Sequence, residues 1–566
     1  MRQPAIRVKV VFRLPRKISF EQLDRWILEA LEYDIQDYQP KFIKNKPTGS
    51  AEEKYLVRWL YVTTILLQDI RVPVFERASV VSIGKDNSRK QHFIADIWFP
   101  IVEALPLNLF HSWLSIANNL IINLFENLPN DNSFEDLYQA FQNKYVLPWS
   151  GKIPGGKSTI PILQAAFESG IPFAHCGSGR YVLGWGSKSR VFDRSSNILD
   201  SAIGSTATQN KHVALEMMRF SGIPVPNGIV FKSGQQVSLI SLAHLRLPLV
   251  VKPVDRDRGE GVTMGVNTEE ALQSAIECAS KLSRQFLIEE QVEGTCHRIL
   301  VIEGKIVYSV KRNPKAVVGD GISTIEALVN NLNAKIRKKI PNKRLPEYQL
   351  DLQAINFLAE IGLNPKSVLS HGQKVFLRPA QSTQWGGDPE DVTTNLHPEN
   401  AEIAIRAAQL FGLNCAGVDF ISTDIAIPWH QSGAVINEVN HTPVMGRTHQ
   451  FQRRAAQTYM ELLFPTKGKI PIDIFIGSDA KQQALGKWRQ QIDMGKKSVF
   501  CSEQGIIKPN GQPLHLAGSQ SVYEKIAMLR TDVSIDAIVI YTKNKDLFAF
   551  NGQPFEYTSV NQSDAA

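Results

Sequence analysis

GVDFISTD (417–424), followed closely by AVINEVNHTP (434–443), is the stretch on which the fold reading turns. Asp419, Glu438 and Asn440 are all oxygen ligands, the kind Mg²⁺ prefers when it also holds substrate phosphates. Glu438 and Asn440 are two residues apart, so on a strand both side chains share one face, and the apolar run AVI ahead of them supplies that strand. A carboxylate and an amide on one face of a buried strand are costly unless something engages them, and metal coordination is a reason for them to exist. The bland reading is a strand end carrying solvated polar residues.

Two upstream segments fit the same nucleotide site. LPLVVKPVDRDRGEGV (247–262) puts Lys252 at the end of an apolar strand, with Gly259 and Gly261 just beyond. A lysine there can reach phosphates, and the glycines let a hairpin close over them; the alternative is a surface lysine before a loop. FLIEEQVEG (286–294) ends a strand with backbone atoms free near Glu289 and Val292, as an adenine-binding hinge requires, though any buried strand end looks similar.

Outward from this core, the chain reads as several domains, because 566 residues are too many for one core. A net charge of +8 is modest for that length: it suits anionic ligands but lacks the dense basic stripe of a nucleic-acid binder, so no nucleic-acid partner is expected. Five cysteines without paired spacing suggest neither a disulfide framework nor a zinc site, and point to a reducing compartment. The start, MRQPAIRVKVVFRLPRK, has charges breaking each apolar run, so no signal peptide is expected, and no run approaches a membrane span. The cytoplasm, with no membrane partner, is the expectation.

Residues 1–150 mix short β-branched runs (8–12 and 80–83) with helical patterns such as 113–128, and end at a Pro/Gly-rich stretch, 148–156. Helix and strand patterns then alternate to residue 464, as in mixed α/β layers, with 247–253 and 285–291 as buried strands. KIRKKIPNKR (335–344) holds six basic residues; a solvated loop is the first reading, and a lid attracting an acidic substrate the second. After Pro465, IPIDIFIG and IDAIVIY flank a helical stretch, suggesting a small α/β module.

GKIPGGKS (151–158) matches the phosphate-loop pattern letter for letter. A working loop needs a buried strand before it and a helix after it. A helix over 160–168 fits, but the preceding NKYVLPWS is broken by Pro148, and Pro154 removes one N–H donor. A glycine-rich loop leading into a helix is the preferred reading, and a P-loop kinase using Lys157 the rival.

At these residues the chain resembles the ATP-grasp superfamily, and within it the cyanophycin synthetases; a more distant likeness is to the ligase half of bifunctional glutathione synthetases. The likeness runs from about residue 154 to 464 and rests on GIPVPNG (222–228), VVKP (250–253), VVGDGISTI (317–325), VFLR (375–378), GGDPEDVTTNLHPEN (386–400), GVDF (417–420) and EVN (438–440). It implies an α/β (α+β) chain: an N-terminal α+β domain at 1–150, matching the family's polymer-binding domain thinly, an ATP-grasp domain at 151–465, and a degenerate Mur-ligase-like module at 466–566. It implies that Lys211 and Lys252 contact phosphates and that Glu289 with Val292 holds adenine. Asp419, Glu438 and Asn440 would bind Mg²⁺, and Arg298 and Arg378 would face the acceptor carboxylate and the developing acyl phosphate. Guanidiniums in that place suit the chemistry, since phosphoryl transfer is catalysed chiefly by positioning and charge stabilisation.

Three departures accompany the likeness. Cys296 stands where the family has an acid two residues before the arginine. The acceptor loop becomes AQSTQWGG (380–387), with Gln384 and bulky Trp385 at its reacting end, so aspartate-type substrates do not carry over. In KIPIDIFIGSDAKQQALGKW (469–488) Ala480 replaces the glycine of the second module's P-loop, and Gln482 and Gln483 follow Lys481, so no hydroxyl is offered to Mg²⁺. That module reads as a relic kept for packing or homo-oligomer contacts, and such a protein forms one of two bonds at most. The expectation is an ADP-forming ligase that uses ATP and Mg²⁺ to join a carboxylate to an amine on an amino acid or peptide. The rival is a non-catalytic relic that binds a peptide or polymer, or regulates a full-length synthetase.

Overall fold

The computed structural model describes residues 3–15, 19–31, 40–43, 47–89, 91–102, 105–126, 140–149, 152–153, 155–256, 260–338, 345–378, 387–445, 450–517, 521–543 and 559–562. Helices and sheets are mixed throughout, the α+β class. Among the described residues, 1–194 with 463–566 gather in one compact unit and 195–462 in another. No helix among them is long and apolar enough to cross a membrane, and all five cysteines are free.

In the first unit, the strand Ala5–Arg13 runs antiparallel to His92–Pro100, which pairs in turn with Ser79–Lys85. These contain the expected 8–12 and 80–83 runs. The helices Ala51–Asp69 and Leu107–Glu126 pack on one another, and Tyr55, Trp113 and Phe110 are fully buried. The 113–128 pattern is thus the inner part of a longer helix, its last two positions lying outside the described residues. In the terminal sheet Ile472–Ile476 lies parallel to Ala537–Thr542, which lies parallel to Ser498–Ser502. The runs IDIFI and AIVIYT are buried throughout, as strands covered on both faces require.

Ahead of 151–158 the chain forms helical turns, Gln142–Val146 and Leu147–Trp149, where a P-loop needs a strand. The Gly156 N–H donates to the Thr159 hydroxyl at 3.0 Å, so this donor serves the following helix, Thr159–Glu168. Gly151 and Pro154 lie outside the described residues. In the terminal module Ala480 is buried at the start of the helix Ala480–Asp493, while Lys481, Gln482 and Gln483 are exposed.

The second unit holds two antiparallel sheets. One has the order Thr263–Val266, Leu249–Pro253, Gln285–Glu290, Gly228–Lys232. The helix Glu269–Ser280 covers it, burying Leu272 and Ala275 with Leu249, Val251, Phe286 and Ile288. The other has the order Gly387–Asp391, Lys305–Pro314, Thr295–Ile302, Cys415–Ser422, Val435–His441. Behind it the helices Lys211–Phe220 and Pro398–Leu410 bury Leu215, Met218, Ile403 and Ala407 against Val418, Phe420, Ile436 and Val439. A two-stranded sheet, Ala316–Val318 with Lys374–Phe376, packs with Ile325–Lys338 and Leu352–Glu360 as a satellite.

The basic run at 335–344 departs from the loop expectation. Its first four residues are the last turn of the helix Ile325–Lys338, where cations are favoured by the helix dipole, and Arg337 pairs with Glu347 at 2.6 Å. The rest lies outside the described residues.

Candidate functional site

Three strands bring Arg298, Asp419 and Glu438 into one row, since Arg298 is opposite Asp419 and Asp419 is opposite Glu438. Arg298 donates through Nε to Asp419 Oδ1 at 2.6 Å and through Nη2 to Oδ2 at 3.0 Å, a bidentate geometry. Its guanidinium lies over Gly417: a Cβ there would stand 2.7 Å from Nη1. The glycine of GVDF is therefore room for the arginine.

Asn440 sits opposite Gly417, and its Nδ2 donates to Asp419 Oδ2 and to the Gly417 carbonyl, both at 3.3 Å. With the amide nitrogen so used, the amide oxygen is the atom left for a cation. The register slips between Asp419 and Phe420, so Asn437 and Glu438 together occupy one step of the ladder. Both side chains thereby reach lysines: Lys252 donates to Asn437 Oδ1 at 3.1 Å, and Lys211 lies 3.9 Å from Glu438 Oε1.

Electrostatics separates the two acids. Burial would raise the Asp419 carboxyl, but Arg298 and Arg312 outweigh it and hold it below its usual range. Burial raises Glu438, and the Asp419 charge raises it further against the pull of Lys211, Arg298 and Lys252. A hard divalent cation beside Glu438 relieves that burden, and the donor set fits one. Among the described residues no group of three or more His, Cys, Asp or Glu side chains is gathered as a metal site. A cation here has to complete its shell with Asn440 and with oxygens of a ligand.

Lys252 ties the two large sheets together. It is buried, and its Nζ meets Glu289 Oε1 at 2.6 Å as well as Asn437. Glu289 Oε2 is buried with no hydrogen-bond partner, an orphaned acceptor that a donor on a bound nucleotide would satisfy. Cross-strand Gly228 makes room for this side chain, since a Cβ there would stand 2.7 Å from Glu289 Cβ. The Glu290 and Gln291 N–H groups donate to the Asn227 and Pro248 carbonyls, and Val292 follows just past the strand. Lys211 opens its helix behind the N-cap Asn210 and donates to the Arg256 carbonyl. Gly261 has φ +71°, and a Cβ there would meet Leu282 and Pro253; Gly259, Gln384 and Trp385 lie outside the described residues.

Arg378 joins a different group. It follows the strand Lys374–Phe376 of the satellite sheet, and donates to Asp351 Oδ2 at 2.6 Å and Gln353 Oε1 at 3.0 Å. The cation that accompanies Arg298 is instead Arg312, whose Nη1 is 3.6 Å from Asp419 Oδ2. Sequence reading missed Arg312 and Asn437. The period-two spacing of Tyr308, Val310 and Arg312 could have found the first; a bulge leaves no such signal for the second. Burial pushes the Cys296 thiol up to about 12, so this position supplies a neutral group.

Residues 208–320 match the RimK-like ATP-grasp domain. Beyond the domain, the chain is 31% identical over 335 residues to the cyanophycin synthetase of Trichormus variabilis, covering 58% of this chain and 37% of that protein. It is 30% identical over 273 residues to the glutathione biosynthesis bifunctional protein GshAB of Clostridium perfringens, covering 47% of this chain and 35% of the relative. The chain thus spans well under half the length of these curated relatives. Among solved structures it is similar to a bifunctional glutathione synthetase from Pasteurella multocida, with 23% identity, a TM-score of 0.42, and coverage of 63% of this chain and 52% of that one.

Proposed function

We propose that the chain is an ATP-dependent carboxylate–amine ligase, forming an amide on an amino acid or peptide through an acyl phosphate and releasing ADP and phosphate. The observation that carries this reading is the Arg298–Asp419–Glu438 row joined through Asn437 to the buried Lys252–Glu289 pair. The two acids of this row, with the Asn440 amide beside them, suit a Mg²⁺ ion, and the neighbouring lysines suit the phosphates of ATP.

In this reading Glu289 and Val292 hold the adenosine end, and Lys252 and Lys211 hold the phosphates over the row. Asp419, Glu438 and Asn440 hold Mg²⁺, which neutralises phosphate charge. The substrate's carboxylate oxygen attacks the terminal phosphorus and ADP leaves. The amine then attacks the acyl carbon and phosphate leaves, with water excluded until the amide has formed. We assign 1–150 as an N-terminal domain, 151–465 as the ligase domain and 466–566 as a degenerate Mur-ligase-like module, in a homo-oligomer of the cytoplasm. The altered acceptor loop favours a substrate other than the aspartate type, and Cys296, near the ribose, a weaker hold on the nucleotide.

The test is phosphate release with Mg·ATP and pooled amino acids and dipeptides, with mass spectrometry of the products. Release that needs both a carboxylate and an amine, with a product lighter than the pair by one water, supports the ligase. ATP binding without release for any pair supports instead a relic that recognises a peptide or polymer, or regulates a full-length synthetase.

A further inference from the structure

Arg298 and Arg312 reach the same carboxylate from neighbouring strands, yet they are engaged very differently. Arg298 closes one edge of its guanidinium on both oxygens of Asp419, and its remaining nitrogen lies over Gly417. Its side chain is 16% exposed. Arg312 has only the 3.6 Å approach of Nη1 to Oδ2, longer than a hydrogen bond, and its side chain is 25% exposed. Among the described residues it has no hydrogen-bond acceptor, so its N–H donors stay available on the site face.

Charge points the same way. Asp419 is already committed to Arg298, and Glu438, the other acid of the row, faces Lys211 at 3.9 Å. Tyr308 and Val310, on Arg312's own strand and face, bring no counter-charge, and Asp391, opposite Val310 on the next strand, accepts instead from the Thr393 N–H and hydroxyl. The Arg312 guanidinium is thus left without a hydrogen-bonded counter-charge, next to the acids that suit a cation, and an anion offering paired oxygens is what such a fork takes.

We infer that Arg312 grips the terminal phosphoryl group of ATP, while Arg298 is a positioning residue that fixes the Asp419 carboxylate. This rests on the nucleotide site of the proposed function, and it separates two roles that sequence alone assigned to Arg298 and Arg378.

The test is calorimetric titration of Mg·ATP and of Mg·ADP into the full chain, wild type and variants, with no turnover needed. Arg312→Gln is expected to weaken ATP by roughly 10- to 100-fold, as loss of a charge-assisted hydrogen bond does, with ADP nearly unchanged. Arg312→Lys, which keeps the charge and loses the fork, is expected to fall between, and covers the case of a glutamine variant that does not fold. Arg298→Lys is expected to weaken ATP and ADP in parallel. An Arg312 variant that keeps the wild-type ATP-to-ADP ratio, or an Arg298→Lys that loses ATP selectively, overturns the inference. A wild-type chain that binds neither nucleotide overturns the nucleotide site itself, and this inference with it.

Discussion

Lys252 and Glu289 meet at 2.6 Å in the interior, their side chains 6% and 5% exposed, while one oxygen of the glutamate has no partner. The pair leaves one buried acceptor unused, and in the proposed reading a bound nucleotide supplies its donor.

Removing one member of this pair exposes its dependence on the other. Lys252→Met leaves an uncompensated buried carboxylate and is expected to cost roughly 3–5 kcal/mol of stability. Lys252→Met with Glu289→Gln is expected to recover much of that loss in chemical denaturation while still failing to bind ATP. Recovery of ATP binding along with stability would show that neither residue meets the nucleotide.

A methyl group at Gly417 is expected to act through the Arg298 guanidinium it displaces. Gly417→Ala pushes the Arg298 guanidinium off its place over the strand, an overpacking that costs about 1–3 kcal/mol. Phosphate release should fall with it, because Asp419 loses its fixed orientation. A variant with wild-type melting temperature and turnover would mean that the arginine does not need this contact.

Neither lysine of the phosphate-loop look-alikes should matter to turnover. Lys157→Ala and Lys481→Ala are expected to keep phosphate release near wild type, since both side chains are exposed and no strand precedes the first. A dead Lys157→Ala enzyme would revive the kinase reading, and a dead Lys481→Ala enzyme would mean that the terminal module still uses nucleotide.

Asp320, in VVGDGISTI, carries a pH signature of its own. Its carboxylate accepts from the Ser323 hydroxyl and from the Ser323 and Ile322 N–H groups, which lower it to about 2. An acid held below its unfolded value of about 3.9 stabilises the fold above that pH, and the contribution is lost as pH falls toward 2. The melting-temperature gap between wild type and Asp320→Asn is therefore expected to be full at pH 6 and to narrow below pH 4. A gap that stays constant would show that the turn does not depend on the charge.

How much of this was legible in sequence follows from the physics of each signal. Buried strands such as Leu249–Pro253 and Gln285–Glu290 announce themselves by apolar runs, and the Glu438/Asn440 face by its spacing of two. Arg312 was overlooked although alternation with Val310, the partner of Arg298, puts it on the same face. Asn437 could not be read at all: the bulge that turns it toward Lys252 breaks the alternation on which such readings depend. Arg378 was placed by likeness alone, and its partners Asp351 and Gln353 lie in a segment that no motif marked.

The most direct measurement is the structure of the chain with Mg²⁺ and a non-hydrolysable ATP analogue. The account predicts a cation about 2.0–2.1 Å from oxygens of Asp419, Glu438 and Asn440, bridging to the phosphates, with Lys252 beside them. A cation held by other residues, or phosphates lodged away from this row, would contradict it.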